Sequence, residues 1–390
     1  MTRTAALAAL AALAGCGGCD DVPPGAVTDC TQGALVPGRV QTDILFVVDD
    51  SGSMSREQTE LGTAFQGFID ALAAAPVGND FRIGVTSTSV DWPVCRTYAG
   101  AECTAYDLRT TYPAGAPYDG APYPAGALVA AAGRPRILDA GSPTLVDDFV
   151  QNVRVGTGGA AKEQALRAMR LAFTDRIADG SNAGFLRPGA RLAVIIVGDE
   201  DDCSEEGPPQ VIYAPGQDAC HSAAEQALLT PVQDYVDLLR GPVAGEVRPA
   251  LVAAVVGQER SPPGPGIECN SGGYPGYRFF TFAGAFGAAG QVADVCAPDF
   301  AAVFAAIASL LDPGQTLPLG GTPPDWRLLQ VSVVRADQTT AGCAVGLAGD
   351  PGAEAVYVPP QGGQPATLTF QGACLLAPGD VVQIRLLCAG

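Results

Sequence analysis

One stretch near the start of the chain constrains the fold more than any other. Residues 44–48 are consecutive apolar residues, and such a run predicts a strand that is buried on both sides. The run ends at Asp49 and Asp50, and a Ser-Gly-Ser turn follows. A helix is expected next, because Ser55 and Gln58 have the spacing of a capping box and apolar residues then recur at helical intervals. A buried strand that ends in oxygen donors before a helix predicts a ligand site at the carboxyl edge of a sheet.

The oxygen donors in this turn occupy alternate positions of the chain. Asp49, Ser51 and Ser53 offer hard oxygen atoms, a donor set that suits Mg²⁺, with Mn²⁺ or Ca²⁺ as alternatives. The alternative interpretation involves no metal: the serines only cap the helix, and Asp49 only ends the strand.

The pattern Asp-x-Ser-x-Ser after a buried strand resembles the metal-ion-dependent adhesion site of von Willebrand factor type A domains. The resemblance covers roughly residues 40 to 312 and implies two further ligands, a threonine from a second loop and an aspartate after a later buried strand. Thr157 matches the threonine, although the family more often has a further threonine where Gly159 or Ala160 stands here. Asp199 matches the aspartate. The resemblance therefore implies a magnesium site whose ligands are Asp49, Ser51, Ser53, Thr157 and Asp199.

Both later parts of this site have other interpretations. The glycine-rich stretch around Thr157 also fits a simple turn before a helix. The acidic loop after Asp199 leaves three alternatives open: a second layer of groups around the metal, a separate calcium site, or solvated charge. The candidates for that second layer are Asp50, Asp201 and Asp202.

The succession of apolar strands and amphipathic helices predicts the fold class. We expect an α/β domain over residues 40–315, with a Rossmann-like, mostly parallel central sheet and helices on both faces. Alternating apolar residues after Trp326 predict a small antiparallel β module over residues 320–390. Three loops interrupt the α/β pattern as disulfide-stapled insertions: residues 91–135 with Cys95–Cys103, 200–222 with Cys203–Cys220, and 258–277 with Cys269–Cys296.

The N-terminus has the features of an export signal. Arg3 precedes an apolar run that is too short to span a bilayer, which predicts a signal peptide over residues 1–16. The sequence Leu-Ala-Gly-Cys ending at Cys16 resembles a bacterial lipobox, and this resemblance implies a lipid anchor on Cys16. Gly17 after that cysteine implies sorting to the outer membrane. Residues 17–39 are then expected to form a tether. The alternative to lipid anchoring is a plain secreted protein.

Charge and cysteine content limit the partners and the compartment. The formal net charge of −19 disfavours nucleic acid and anionic membrane surfaces, so membrane contact is expected only through the N-terminal lipid anchor. The chain has 12 cysteines, which indicates an oxidising, extracytoplasmic compartment.

The predicted site leads to one main functional hypothesis. The resemblance implies an envelope-anchored adhesion-type module, not an enzyme, whose bound metal captures an Asp or Glu carboxylate of a partner protein. One alternative is an envelope scaffold in which the metal is structural. The other is a metal-assisted hydrolase, which needs a general base such as Glu200, Asp201 or Asp202.

Overall fold

The computed structural model describes most of the chain: residues 27–29, 40–74, 79–100, 102–114, 120–212, 220, 223–258, 275–312, 314–319, 321–360, 366–377 and 380–389. The predicted signal peptide with Cys16, most of the predicted tether, and Cys269 lie outside the described residues.

The helices and strands are numbered here in chain order. The helices are α1 Ser55–Ala73, α2 Leu145–Asn152, α3 Ala165–Phe173, α4 Asp175–Ala178, α5 Ala223–Gln226, α6 Val232–Arg240, α7 Tyr277–Gly284 and α8 Phe300–Leu311. The strands are β1 Val27–Asp29, β2 Val40–Val48, β3 Asn79–Ser87, β4 Trp92–Ala99, β5 Glu102–Arg109, β6 Ile137–Asp139, β7 Arg191–Val197, β8 Pro242–Val243, β9 Glu246–Val247, β10 Ala250–Val256, β11 Gly290–Asp294, β12 Thr316–Pro318, β13 Leu329–Val334, β14 Thr340–Cys343, β15 Val345–Gly346, β16 Ala355–Val358, β17 Thr367–Phe370 and β18 Val381–Ala389.

The strand that contains residues 44–48 lies inside the largest sheet. This sheet has the order β11-β10-β7-β2-β3-β6, and all five residues of the apolar run are fully buried. Strands β2 and β7 run parallel, with Val48 opposite Val197. Because parallel strands end at the same edge of a sheet, the residues that follow β2 and β7 lie side by side.

Alternate residues of β2 enter two separate apolar clusters. Ile44, Phe46 and Val48 pack with side chains of α1, α2 and α8, and the rings of Phe46 and Phe149 lie 4.9 Å apart. Leu45 and Val47 pack with side chains of α3, α6 and α7. Full burial of each such side chain contributes roughly 1.5–3 kcal/mol to stability, so β2 is held firmly from both sides. This packing fixes the position of the turn after β2.

The predicted fold class, a Rossmann-like and mostly parallel sheet with helices on both faces, is wrong for this chain. Several sheets of the described residues are built from antiparallel pairs, namely β4–β5, β8–β9 and β1-β18-β13-β14. The six-stranded sheet is itself mixed, because β6 runs antiparallel to β3. The reason lies in the connection: the described chain between β3 and β6 forms a hairpin, not the helical crossover that a parallel neighbour requires.

The C-terminal residues form two further four-stranded sheets, with orders β1-β18-β13-β14 and β12-β17-β16-β15. Their pairs are antiparallel except β15–β16, and a disulfide joins Cys343 to Cys374. Two of these strands lie outside the bounds predicted for the β module, since β1 lies in the predicted tether and β12 precedes residue 320. The region therefore includes chain from before and after the α/β domain.

Among the described residues, no helix combines the length and the apolar character needed to cross a membrane.

Candidate metal centre

The turn after β2 is shaped by hydrogen bonds to its own carboxylate. The Asp49 N–H donates to the Val197 carbonyl at 2.9 Å, which ties the turn to β7. The Asp49 Oδ1 accepts the Ser51 N–H at 2.7 Å. These bonds fix the Asp49 carboxylate at the end of β2, where acidic residues of two further loops lie near it.

The predicted capping box at the start of α1 is wrong. The helix begins at Ser55, and no side chain caps its N-terminus. The buried Gln58 side chain instead donates to the carbonyl oxygens of Asp49 at 2.8 Å and Gly156 at 2.7 Å. Gln58 therefore joins the first predicted ligand loop to the second.

Four of the five predicted ligands lie together. Ser51 Oγ and Ser53 Oγ share a hydrogen bond of 3.1 Å, and Ser53 Oγ donates to Asp199 Oδ1 at 3.0 Å. Ser53 is half-buried and Gly52 is exposed, so the group of side chains meets solvent at this turn.

The fifth predicted ligand, Thr157, lies in the loop that Gln58 joins to the turn after β2. Its side chain is exposed, and no hydrogen bond joins it to any described residue. Gly159 of the same loop contacts Asp50. The Gly159 N–H donates to the Asp50 carbonyl at 2.8 Å, and a Cβ at Gly159 would collide with the Asp50 carboxylate. The close approach of the two loops therefore requires glycine at position 159.

A glutamate that the sequence interpretation missed completes the centre. Carboxylate oxygens of Asp49, Glu163 and Asp199 all lie within 4.8 Å of one another. The three residues are 0%, 6% and 2% exposed. Glu163 is the only acidic residue between α2 and α3, which is the signal that could have found it. The motif indicates Thr157 as the ligand of this loop, and Glu163 lies beyond the residues that the motif covers.

The three buried carboxylates of this cluster repel one another, so they require either a bound cation or protonation. Burial and the negative charge of Asp199 raise the pKa of Asp49 well above its ordinary value. Burial and the charge of Asp49 do the same to the pKa of Glu163, and burial raises the pKa of Asp199. Asp49 Oδ2 is buried and accepts no hydrogen bond from the residues that the structure describes. A buried carboxylate oxygen without a partner is costly, so a ligand is expected beside it.

The donor atoms indicate the class of ion that fits. Three carboxylates and two serine hydroxyls offer oxygen only, which suits Mg²⁺, Ca²⁺ or Mn²⁺. The described cluster offers no sulfur or imidazole ligand, the donors that zinc prefers.

Asp50 lies next to Asp49 in the chain, but its carboxylate bonds to the insertion of residues 91–135 and to the segment just before it. Its carboxylate accepts hydrogen bonds from Tyr112 Oη at 2.8 Å, Ser89 Oγ at 2.8 Å and Thr88 Oγ1 at 3.3 Å. Burial raises the pKa of Asp50 in spite of these donors. Asp50 therefore fastens the segment that begins at residue 91 to the end of β2.

The acidic loop is not a stretch of solvated charge, because Asp201 and Asp202 are buried. Asp202 accepts the Leu166 N–H at 3.0 Å at the start of α3 and the Arg278 Nε–H at 3.1 Å. Asp201 Oδ1 accepts the backbone N–H of Arg278 at 3.0 Å, and burial raises the pKa of Asp201 to about 7. The two aspartates therefore brace α3 against α7, and Asp201 Oδ2 has no hydrogen-bond partner among the described residues.

The structure joins Cys95 to Cys103 and Cys203 to Cys220, the pairs expected from the sequence. Cys296 is also disulfide-bonded, but its expected partner Cys269 lies outside the described residues. These crosslinks hold the hairpin β4–β5 and the acidic loop in place.

Comparisons with known proteins give only remote likeness. No protein-family model matches the chain, and no curated protein matches it. Among solved structures, proximal thread matrix protein 1 of the mussel byssus is 11% identical with a TM-score of 0.34, over 70% of this chain and 48% of that one. The pilus adhesin SpaC of Lactobacillus rhamnosus GG is 12% identical with a TM-score of 0.40, over 91% of this chain and 40% of that one. The pilus adhesin RrgA of Streptococcus pneumoniae is 10% identical with a TM-score of 0.34, over 89% and 56%.

The chain spans between 40% and 56% of the length of these three proteins. TM-scores of this size carry no argument about fold or function. The functional argument therefore rests on the geometry of the centre.

Proposed function

We propose that this chain is an extracytoplasmic, divalent-metal-dependent binding module of the adhesion type. Asp49, Ser51, Ser53, Thr157 and Asp199 would hold Mg²⁺, with Mn²⁺ or Ca²⁺ as alternatives. The observation that carries the proposal is the buried acidic cluster: Asp49 Oδ2 has no hydrogen-bond partner among the described residues, and carboxylate oxygens of Asp49, Glu163 and Asp199 lie within 4.8 Å of one another. The proposal includes kinship with von Willebrand factor type A domains, based on the motif after β2.

The physical argument starts from the cost of burying like charges. Carboxylates in contact inside a protein repel each other and lose hydration, so they need either protons or a cation. A bound divalent ion supplies that cation and can accept one further oxygen ligand. The exposed Gly52 and half-buried Ser53 mark the side from which such a ligand would approach. We propose that the ligand is an Asp or Glu carboxylate of a partner protein.

The disulfides support the proposed compartment. Cys95–Cys103, Cys203–Cys220 and Cys343–Cys374 would not persist in a reducing cytoplasm. We further propose lipid anchoring at Cys16 and location in the outer membrane, on the basis of the N-terminal sequence.

The acidic loop gives little support to a hydrolase. Asp201 and Asp202, two of its candidate general bases, are engaged with Arg278, and Asp202 also holds the start of α3. A binding role requires no such base. A scaffold with a structural metal differs from a binding module in one respect: its partner contacts would survive removal of the metal.

The test compares two serine variants that make the same chemical change. Ser53→Ala removes a hydroxyl that donates to Asp199, whereas Ser55→Ala changes an exposed serine at the start of α1. Magnesium affinity is measured by calorimetry, and binding to isolated envelope proteins is measured with and without chelator. We expect Ser53→Ala to weaken both and Ser55→Ala to weaken neither.

Salt concentration adds a second readout. The net charge of −19 opposes an acidic partner at long range, so moderate salt should leave binding unchanged or improve it. A basic patch on the partner would reverse the salt trend but would leave the need for metal. If chelator-treated protein binds its partner as tightly as metal-loaded protein does, the proposal is wrong and the scaffold with a structural metal is favoured.

A further inference from the structure

Glu163 is the member of the acidic cluster that the motif resemblance does not account for. Its carboxylate lies within 4.8 Å of ligand atoms of both Asp49 and Asp199, and the side chain is 6% exposed. Asp49 Oδ2, buried and without a hydrogen-bond partner among the described residues, belongs to the same cluster. The predicted threonine ligand, Thr157, is exposed in the same loop. This loop thus contributes to the cluster a carboxylate that the resemblance does not imply.

The backbone around Glu163 is fixed on every side. The Glu163 carbonyl accepts the Cys203 N–H at 2.7 Å, and Cys203 is held by its disulfide. The preceding Lys162 is fully buried and paired with Glu205. The following Gln164 is also fully buried and bonded through both its backbone and its side chain. A side chain on such a support is pre-organised to contact a ligand.

We infer that Glu163 is a third carboxylate ligand of the proposed metal centre and competes there with the carboxylate of a partner. The inference rests on the proposed function and names how that same site is regulated. Two carboxylates balance a divalent ion, whereas three leave the centre with a formal net charge of −1. Glu163 therefore strengthens retention of the ion and weakens capture of an acidic partner.

This arrangement has a chemical consequence for specificity. A monodentate carboxylate, such as acetate, gains little from an ion whose charge is already exceeded by its protein ligands. A partner must therefore add contacts outside the centre, or displace Glu163, before its own carboxylate binds well. Neutralising Glu163 should reverse both effects, so that the ion binds more weakly and an external carboxylate binds more strongly.

The experiment uses the full mature chain with Mn²⁺, Tb³⁺ and acetate as probes. Glu163→Gln removes the charge, Glu163→Ala removes the ligand atom, and Glu60→Gln makes the same charge change on the surface of α1. Calorimetry gives the Mn²⁺ affinity, and Tb³⁺ luminescence lifetimes in H₂O and D₂O count the water molecules on the ion. Melting temperatures in chelator verify that each variant is folded.

We expect Glu163→Gln to weaken Mn²⁺ binding by about tenfold or more, and Glu60→Gln to leave it unchanged. Glu163→Ala should add about one water molecule to bound Tb³⁺. At saturating metal, acetate affinity should rise several-fold in Glu163→Gln. In the wild-type protein loaded with Mn²⁺, the same acetate concentration should give little binding signal in calorimetry.

Unchanged Mn²⁺ affinity in Glu163→Gln, or an unchanged water count in Glu163→Ala, would overturn ligation by Glu163. Acetate affinity that stays at the wild-type value would overturn the competition. In either case the proposed function stands if Ser53→Ala still loses metal. A wild-type protein that binds no divalent ion would remove the proposed function and the inference together.

Discussion

Replacing Asp49 by asparagine should make the metal-free protein more stable, although it damages the proposed site. Asparagine keeps the shape of the side chain and an oxygen for the Ser51 N–H, so the turn after β2 is preserved. It also removes one of three buried carboxylates. Residues that bind a ligand often reduce the stability of the empty protein, and this substitution measures that cost.

The magnitude follows from the separation of the charges. At 4.8 Å and an effective dielectric constant near 20, two unit charges repel by about 3.5 kcal/mol. Proton uptake limits this cost, since each unit of pKa shift corresponds to about 1.4 kcal/mol. We therefore expect Asp49→Asn to raise the free energy of unfolding by about 2–4 kcal/mol in chelator at pH 8, a gain of several degrees in Tm.

The raised pKa values also determine how the stability of the metal-free protein changes with pH. The pKa values of Asp49 and Glu163 are raised in the folded protein, so above the ordinary carboxyl pKa the folded state binds more protons than the unfolded state. Stability in chelator therefore falls as the pH rises from about 4 through the raised pKa values. Asp201, with a pKa of about 7, adds to this slope in the wild type and the variant alike, so its effect cancels in the comparison.

The assay is thermal unfolding at pH 5, 6.5 and 8, in chelator and at saturating Mg²⁺. The stabilisation by Asp49→Asn should grow with pH in chelator, and only the wild type should gain stability from Mg²⁺. A variant that melts at or below the wild-type temperature in chelator at pH 8 would refute the charge argument.

Three further predictions concern the surroundings of the centre. Tyr112→Phe removes the hydrogen bond to Asp50 and should cost about 1.5–3 kcal/mol, measured by urea unfolding, while Mg²⁺ affinity measured by calorimetry stays within about twofold; a large loss of metal would contradict the structural role of Asp50. Gly159→Ala should disrupt the junction of the two ligand loops, seen as rapid proteolysis between residues 91 and 135, and an intact, protease-resistant variant would count against the tight approach. The Cys203–Cys220 disulfide closes a loop with a sequence separation of 17, so its removal by serine substitution should cost about 3 kcal/mol in the same unfolding assay, and peptide mapping without reductant should find both cysteines linked.

The first ligand loop could be predicted from sequence because its signals are local. The apolar run of β2 and the alternating oxygens after it lie within a few residues, and the structure brings Asp49, Ser51 and Ser53 close to Asp199. Glu163 stands out in the sequence only as the single acidic residue between α2 and α3, and its place in the cluster depends on the fold of the loop before α3. Thr157 was predicted from its match to a motif; its side chain is exposed, and ligation by Thr157 stays a prediction.

The fold class failed for a related reason. Long apolar runs such as β7 indicate buried strands, but they do not give the direction of the short strands beside them. Strand β6 has three residues, and it pairs antiparallel with β3 because the described chain between them contains the hairpin β4–β5 and not a helical crossover. Pairing of β1 with β18 joins opposite ends of the chain, which no local pattern in residues 17–39 indicates.

The most direct test of the metal centre is a calorimetric titration with Mg²⁺. The proposal predicts that the wild-type protein binds one ion per chain, that Asp199→Asn abolishes this binding, and that Asp70→Asn on exposed α1 surface leaves it intact. Far-ultraviolet circular dichroism should show the same secondary structure in all three proteins. No binding by the folded wild type, or equal affinity in Asp199→Asn, would contradict the centre on which the proposed function depends.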